Sequence, residues 1–273
     1  MSLFLYHEGS SFLHRLNPLT KLLFVGLLMV VLTLILDPIT PLVVALLLLP
    51  STMVLGRLSP GLLLRPLRPF VLAAFGLFWT TGLFYAADSA LHPRALFQVG
   101  PAVLTELGAA YGASITFRIL AIFAASLLFT LTTEPSALLQ ALIQQWRVSY
   151  RFGYGVMAAY RFVPLFDSQL ASIRAAHRVR GAGSSGGPVA RYHRFIGYMV
   201  PLLAGGVRQA ERVALAMDAR GFSGGSSRTY YRESAFGWRD LVFSAGTGAV
   251  LVAVLLELHA LGWLGRLLPP FVS

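Results

Sequence analysis

The sequence predicts an all-α membrane protein of about five transmembrane helices, with two or more long cytoplasmic helices inserted before the last span. Composition is the first observation behind that fold class. Of 273 residues, 56% are hydrophobic and 12% charged, whereas an ordinary soluble domain carries about 25% charged residues. So few polar side chains cannot cover so apolar a core, and lipid has to act as part of the solvent. The second observation is a set of five long apolar runs. The third is a basic stretch of helical periodicity between the fourth run and the fifth.

The runs, in order, are 22–36, 41–56, 69–87, 107–131 and 241–256. A spanning helix needs roughly 20 residues, with a range of about 17 to 25. The first two runs are short and need interfacial turns from their flanks. Asp37-Pro38-Ile39-Thr40 separates them, and the prolines at 38 and 41 suit a helix stop followed by a helix start. The region before the first run holds His7, Glu8, His14 and Arg15 and lacks the pattern of a cleaved secretory signal, so the first run is expected to be a retained span. The fourth run is interrupted only by Arg118, and Glu257 follows the fifth.

Charge orients the chain. With the N-terminus cytoplasmic, 19 of the 22 basic residues fall inside, only Arg94 and Arg266 fall outside, and Arg118 lies within a span. Cytoplasmic excess of Lys and Arg in short loops is the usual topological signal. Five spans then place the C-terminus outside, in a prokaryotic inner membrane. The expected organisation is a membrane bundle over 1–131, a cytoplasmic segment over 132–239, and a final span with an external tail over 240–273.

The cytoplasmic segment carries the chemistry of recognition. Between 147 and 239 there are 14 arginines against Asp167, Glu211, Asp218 and Glu233, a net charge of +10. It contains a weak repeat. Val163-Pro164-Leu165 is expected to open a helix that closes on Val179-Arg180-Gly181, and Val200-Pro201-Leu202 another that closes on Ala219-Arg220-Gly221. Proline at the start and glycine past the end punctuate helices, and the glycine- and serine-rich stretch 183–188 reads as the turn between them. One apolar stripe runs through Phe166, Leu170, Ile173 and His177, another through Leu203, Val207, Ala210, Val213 and Met217. Intervals of three and four put each stripe on one face. Arg174 and Arg178 lie on the polar side of the first, Arg208, Glu211 and Arg212 on that of the second. An arginine in a last turn is favoured by the helix dipole, and its planar guanidinium can grip a partner carboxylate with two bonds. Glycine lets the chain leave at once. Two such tips predict two docking points.

Other chemistry finds less support. The single lysine, Lys21, stands between Thr20 and Leu22, so there is no phosphate-cradling Gly-Lys-Ser/Thr loop. The histidines 7, 14, 92, 177, 193 and 259 form no zinc motif, and the absence of cysteine removes thiolate sites. His177 reads as a packed or capping residue. One intramembrane arginine is too little for a carrier, so Arg118 is assigned a structural role. A membrane enzyme or secondary carrier with a lipid-binding arginine-rich segment remains the alternative, some of those arginines attracting anionic headgroups.

At these residues the sequence resembles the T components of energy-coupling factor transporters. The family carries two Ala-Arg-Gly-type motifs at the ends of cytoplasmic coupling helices; Ala219-Arg220-Gly221 matches in full, and Val179 stands for alanine in the first. Ser11-Phe12-Leu13-His14-Arg15-Leu16-Asn17-Pro18 resembles the family's entry into its first span, Leu131-Thr132-Thr133-Glu134-Pro135 the exit from the fourth, and Arg161-Phe162-Val163-Pro164 the start of the first coupling helix. The resemblance implies a non-catalytic scaffold in an ATP-driven importer of a vitamin or metal ion. Two ATPase subunits, holding ATP and magnesium, would engage Arg180 and Arg220. A small membrane S component, which binds the nutrient, would lie on the apolar stripes. No cofactor in this chain and no nucleic acid are implied.

Overall fold

The computed structural model describes residues 6, 9–35, 37–85, 95–99, 102–181, 187–222, 230–231, 233–260 and 262. Arg94, Arg266, His7, His92 and most of the 183–188 turn lie outside these residues. Among the described residues the chain forms helices α1 (Pro18–Leu34), α2 (Ile39–Gly56) and α3 (Pro60–Tyr85). Strands β1 (Ala95–Val99) and β2 (Ala102–Thr105) follow. Then come α4 (Glu106–Thr132), α5 (Pro135–Gln145), α6 (Tyr150–Val179), α7 (Pro188–Ala219) and α8 (Trp238–Ala260). The architecture is that of an all-α membrane protein, with one antiparallel hairpin in which Val99 pairs with Ala102. Two compact units make up the chain, one from 142–233 and the other from 2–141 with 234–273.

In the larger unit, α2, α3, α4 and α8 are long and apolar enough to cross a bilayer, and α1, with 17 residues, is shorter. That length stands at the lower limit of about 17 for a span. Helix α1 starts where its sequence directs: Asn17 caps it through a 3.0 Å bond from the Leu19 amide, and Pro18 takes the first position. Helix α4 packs against α1, α2 and α3. Its contact with α3 is made by glycine, since a Cβ on Gly108 would lie 2.3 Å from the Gly82 carbonyl oxygen and one on Gly112 2.8 Å from that of Phe78. Small residues at such crossings let helix backbones approach. Leu28, Leu32, Leu48, Ala121, Leu128 and Phe243 fill the core between α1, α2, α4 and α8.

Two buried polar groups brace this unit. The Lys21 ammonium, 1% exposed, donates to the Thr132 carbonyl at 2.8 Å. Asp240 accepts from the Asn17 amide at 2.7 Å and the Gly237 amide at 2.8 Å, joining the starts of α1 and α8. Arg118 donates through Nη2 to the Ile35 carbonyl, at the C-cap of α1, and to Ser114 Oγ. A guanidinium there satisfies a helix-end carbonyl that apolar surroundings would leave orphaned.

Helix starts depart from expectation in three places. Arg65 and Arg68, expected in a loop before a span at 69, lie inside α3, which runs through Pro66 and Pro69. Leu63 and Leu67 explain it: one turn apart, they bury at 1% and 8% exposure against Leu127 and Leu131, and the two arginines face outward. Pro164 and Pro201, expected in first turns, lie in the middle of α6 and α7. Proline removes one ladder bond, and the packed turns on both sides carry each helix past it.

Candidate functional site

The smaller unit is dominated by α6 and α7, which pack as an antiparallel pair. His177 meets Tyr198 edge-on at 5.1 Å, and Phe166 lies against Gly206, whose missing Cβ would sit 3.2 Å from the ring. Met217 and Val213 share a cavity of about 370 Å³ with Tyr154, Met157 and Arg161. The start of α6 therefore lies beside the end of α7, and the end of α6 beside the first half of α7. At 1.5 Å per residue the 30-residue α6 separates the two ends by about 45 Å.

Each end carries one of the expected tips. Helix α7 closes with the Gly221 amide donating to the Asp218 carbonyl at 2.9 Å and the Phe222 amide to that of Met217 at 3.1 Å. These are the two bonds of the Schellman motif, with glycine in the left-handed position it requires; Gly221 has φ 75°. Gly181, at φ 74°, donates to the Arg178 carbonyl at 3.1 Å, so α6 also ends on a left-handed glycine. Phe222 then packs on Tyr150 and Tyr154 at centroid distances of 5.2 and 5.9 Å, pinning the chain as it leaves α7. Arg180 and Arg220 are exposed, and among the described residues neither guanidinium has a hydrogen-bond or ion-pair partner. Val179 is 89% exposed, and Ala219 is exposed beside its arginine.

The apolar stripes divide. Phe166, Leu170, Ile173 and His177 are half-buried, as are Val213 and Met217. Leu203, Val207 and Ala210 are exposed, and with Tyr192, Ile196 and Val200 they form one outward apolar face of α7. The first half of that face lies before Pro201, which the sequence places in a first turn but which stands inside α7. The periodicity Tyr192, Ile196, Val200, Leu203 was the signal available. Among the described residues no three His, Asp or Glu side chains gather as a metal site requires.

Comparison with known proteins decides the family. Residues 9–231 match the family model of CbiQ, described as cobalt transport protein. The chain belongs to this family. CbiQ relatives include the energy-coupling factor transporter transmembrane protein EcfT of Brevibacillus brevis, 31% identical over 94% of this chain and 96% of the relative. EcfT of Thermosediminibacter oceani is 28% identical over 92% of this chain and 96% of the relative. EcfT of Streptococcus equi is 30% identical over 92% of each chain. The resemblance read from the motifs thus holds along almost the whole CbiQ-family chain, which is a membrane component of an energy-coupling factor transporter.

Proposed function

We propose that this subunit transmits the movement of two ATPase subunits to a substrate-binding S component, through α6 and α7. The observation that carries the reading is the pair of tips. Two exposed arginines, each followed by a left-handed glycine, stand at opposite ends of one antiparallel pair and have no partner within the described residues. An arginine at a rigid helix end offers a fork that matches an acidic socket. Tips about 45 Å apart suit two sockets on two subunits better than one site on a single partner. ATP and magnesium belong to those partners, and this chain performs no catalysis.

The S component is assigned to the outward face of α7, with Leu203, Val207 and Ala210 at its centre. Phe166, Leu170, Ile173, Val213 and Met217 support that face from beneath. Closure of the ATPases would move the two tips relative to each other and tilt the apolar face, reorienting the S component so that its nutrient is released inward. Helices α6 and α7 and the N-terminus are cytoplasmic in this reading, and the C-terminus is external.

The test is co-purification. Arg180→Ala with Arg220→Ala should still insert in the membrane but lose the ATPase subunits and uptake. Truncating one partner of a buried charged contact costs about 2–5 kcal/mol, roughly thirtyfold or more in affinity for each tip. Undiminished ATPase capture by the double variant would refute the assignment.

A further inference from the structure

A second feature belongs to the larger unit. Arg15 from the turn before α1, Arg57 at the end of α2 and Arg239 in the first turn of α8 line one cavity of about 500 Å³ with Ser10, Ser11 and Trp238. Among the described residues none of these guanidinium groups has a carboxylate partner; the nearby Asp240 carboxylate is committed to the amides of Asn17 and Gly237. Arg239 instead lies over the Trp238 ring, 5.8 Å from its centroid. Arg57 is held at φ 50°, a left-handed conformation that glycine adopts without strain. Three positive charges around one cavity, with no carboxylate partner among the described residues, call for an anion.

The surroundings say which anion. Trp238 also lines a groove of about 590 Å³ between α1 and α8, walled by Leu23, Leu27, Leu241, Thr247 and Leu251. Its rims are open, with Leu23 at 53%, Leu27 at 62% and Leu241 at 73% exposure. From Trp238 to Leu251 the groove follows α8 for about 20 Å, enough to cross the roughly 15 Å of hydrocarbon in one leaflet. A tryptophan at the junction of a charged cavity and an apolar groove is placed as such rings are at a bilayer interface.

We propose that this is a binding site for an anionic phospholipid. Its phosphate sits among Arg15, Arg57 and Arg239, with the Ser10 and Ser11 hydroxyls as further donors, and one acyl chain fills the α1–α8 groove. Guanidinium groups bind phosphate with paired, charge-assisted bonds. A zwitterionic headgroup would carry an ammonium into a cavity that already holds three cations. A free phosphate would leave the groove empty.

Native mass spectrometry of the detergent-purified full chain tests this, with dioleoyl phosphatidylglycerol and dioleoyl phosphatidylcholine as probes and glycerol phosphate as soluble competitor. The phosphatidylglycerol adduct should exceed the phosphatidylcholine adduct about tenfold or more. Each arginine removed should weaken it about fivefold, and all three on the order of a hundredfold. Arg57→Gly keeps the proposal testable where a triple variant fails to fold, because glycine relieves the strain; its unfolding midpoint should be no lower than the parent's and its adduct about fivefold weaker. Gly248→Phe, which adds a ring where a Cβ meets no atom within 4 Å, should block the groove and reduce the adduct. A charge-matched control, Arg174→Gln with Arg191→Gln and Arg208→Gln, should leave it intact. Equal retention of both lipids, or indifference to Arg57→Gly and to the triple change, overturns the proposal. Displacement by glycerol phosphate at the concentration at which phosphatidylglycerol itself competes also overturns it, leaving a plain anion site.

Discussion

Gly221 is the residue on which the second tip depends. Its φ of 75° is left-handed, and a Cβ there would meet nothing within 4 Å. Any effect of substitution therefore comes from backbone strain and not from collision. A left-handed L-residue costs roughly 1–2 kcal/mol, and asparagine tolerates the conformation better than alanine. Gly221→Ala should open the turn that bonds Phe222 to Met217, raising hydrogen exchange at the Phe222 amide about fivefold or more by that estimate, with Gly221→Asn intermediate. Unchanged exchange in the alanine variant would show that the left-handed turn does not form. Arg220 itself is untouched in both variants, so weaker ATPase capture by Gly221→Ala would measure how far the chain's exit sets the aim of the guanidinium.

Among the elements, glycine also decides how closely α3 and α4 approach. Gly108→Ala puts a methyl group 2.3 Å from a carbonyl oxygen of α3, and backbone cannot yield as a side chain can. Overpacking of this kind costs about 1–3 kcal/mol, so the variant should lower the unfolding midpoint in detergent, whereas Gly26→Ala and Gly76→Ala, with open space at the Cβ, should not. An equal response of all three would mean that the crossing is looser than described. The sequence made the apolar runs legible, because uncharged stretches have few other uses, and it made both helix ends legible, because arginine followed by glycine is punctuation with a physical cause. Helix starts were harder to read. Pro164 and Pro201 resemble first-turn prolines, and only the neighbouring packing of Phe166 on Gly206 and His177 on Tyr198 reveals that the helices run through them. The division of the second stripe was hidden too, since Leu203 and Met217 differ in which side of α7 meets α6, a fact of pairing rather than of periodicity. Arg15, Arg57 and Arg239 stand far apart in sequence, and nothing in a linear chain announces that they share a cavity.

For the whole molecule, the proposed orientation is open to a clean experiment, because the chain has no cysteine. The meeting of Arg15, Arg57 and Arg239 around one cavity places three separate segments at one end of the bundle. The positive-inside bias assigns those same segments to the cytoplasm. If that assignment holds, Ser10→Cys and Ser227→Cys should react with a membrane-impermeant maleimide only after permeabilisation, and Ser89→Cys, between the third and fourth apolar runs, should react in intact cells. The pattern depends on α1 crossing the bilayer despite its 17 residues. Were α1 to lie in the interface, residues 10 and 227 would fall on opposite sides, and Ser89→Cys, separated from Ser227→Cys by α4, would label together with Ser10→Cys. Labelling of Ser227→Cys from outside would remove α6 and α7 from the compartment that holds ATP, and with them the route from nucleotide to the two arginine tips.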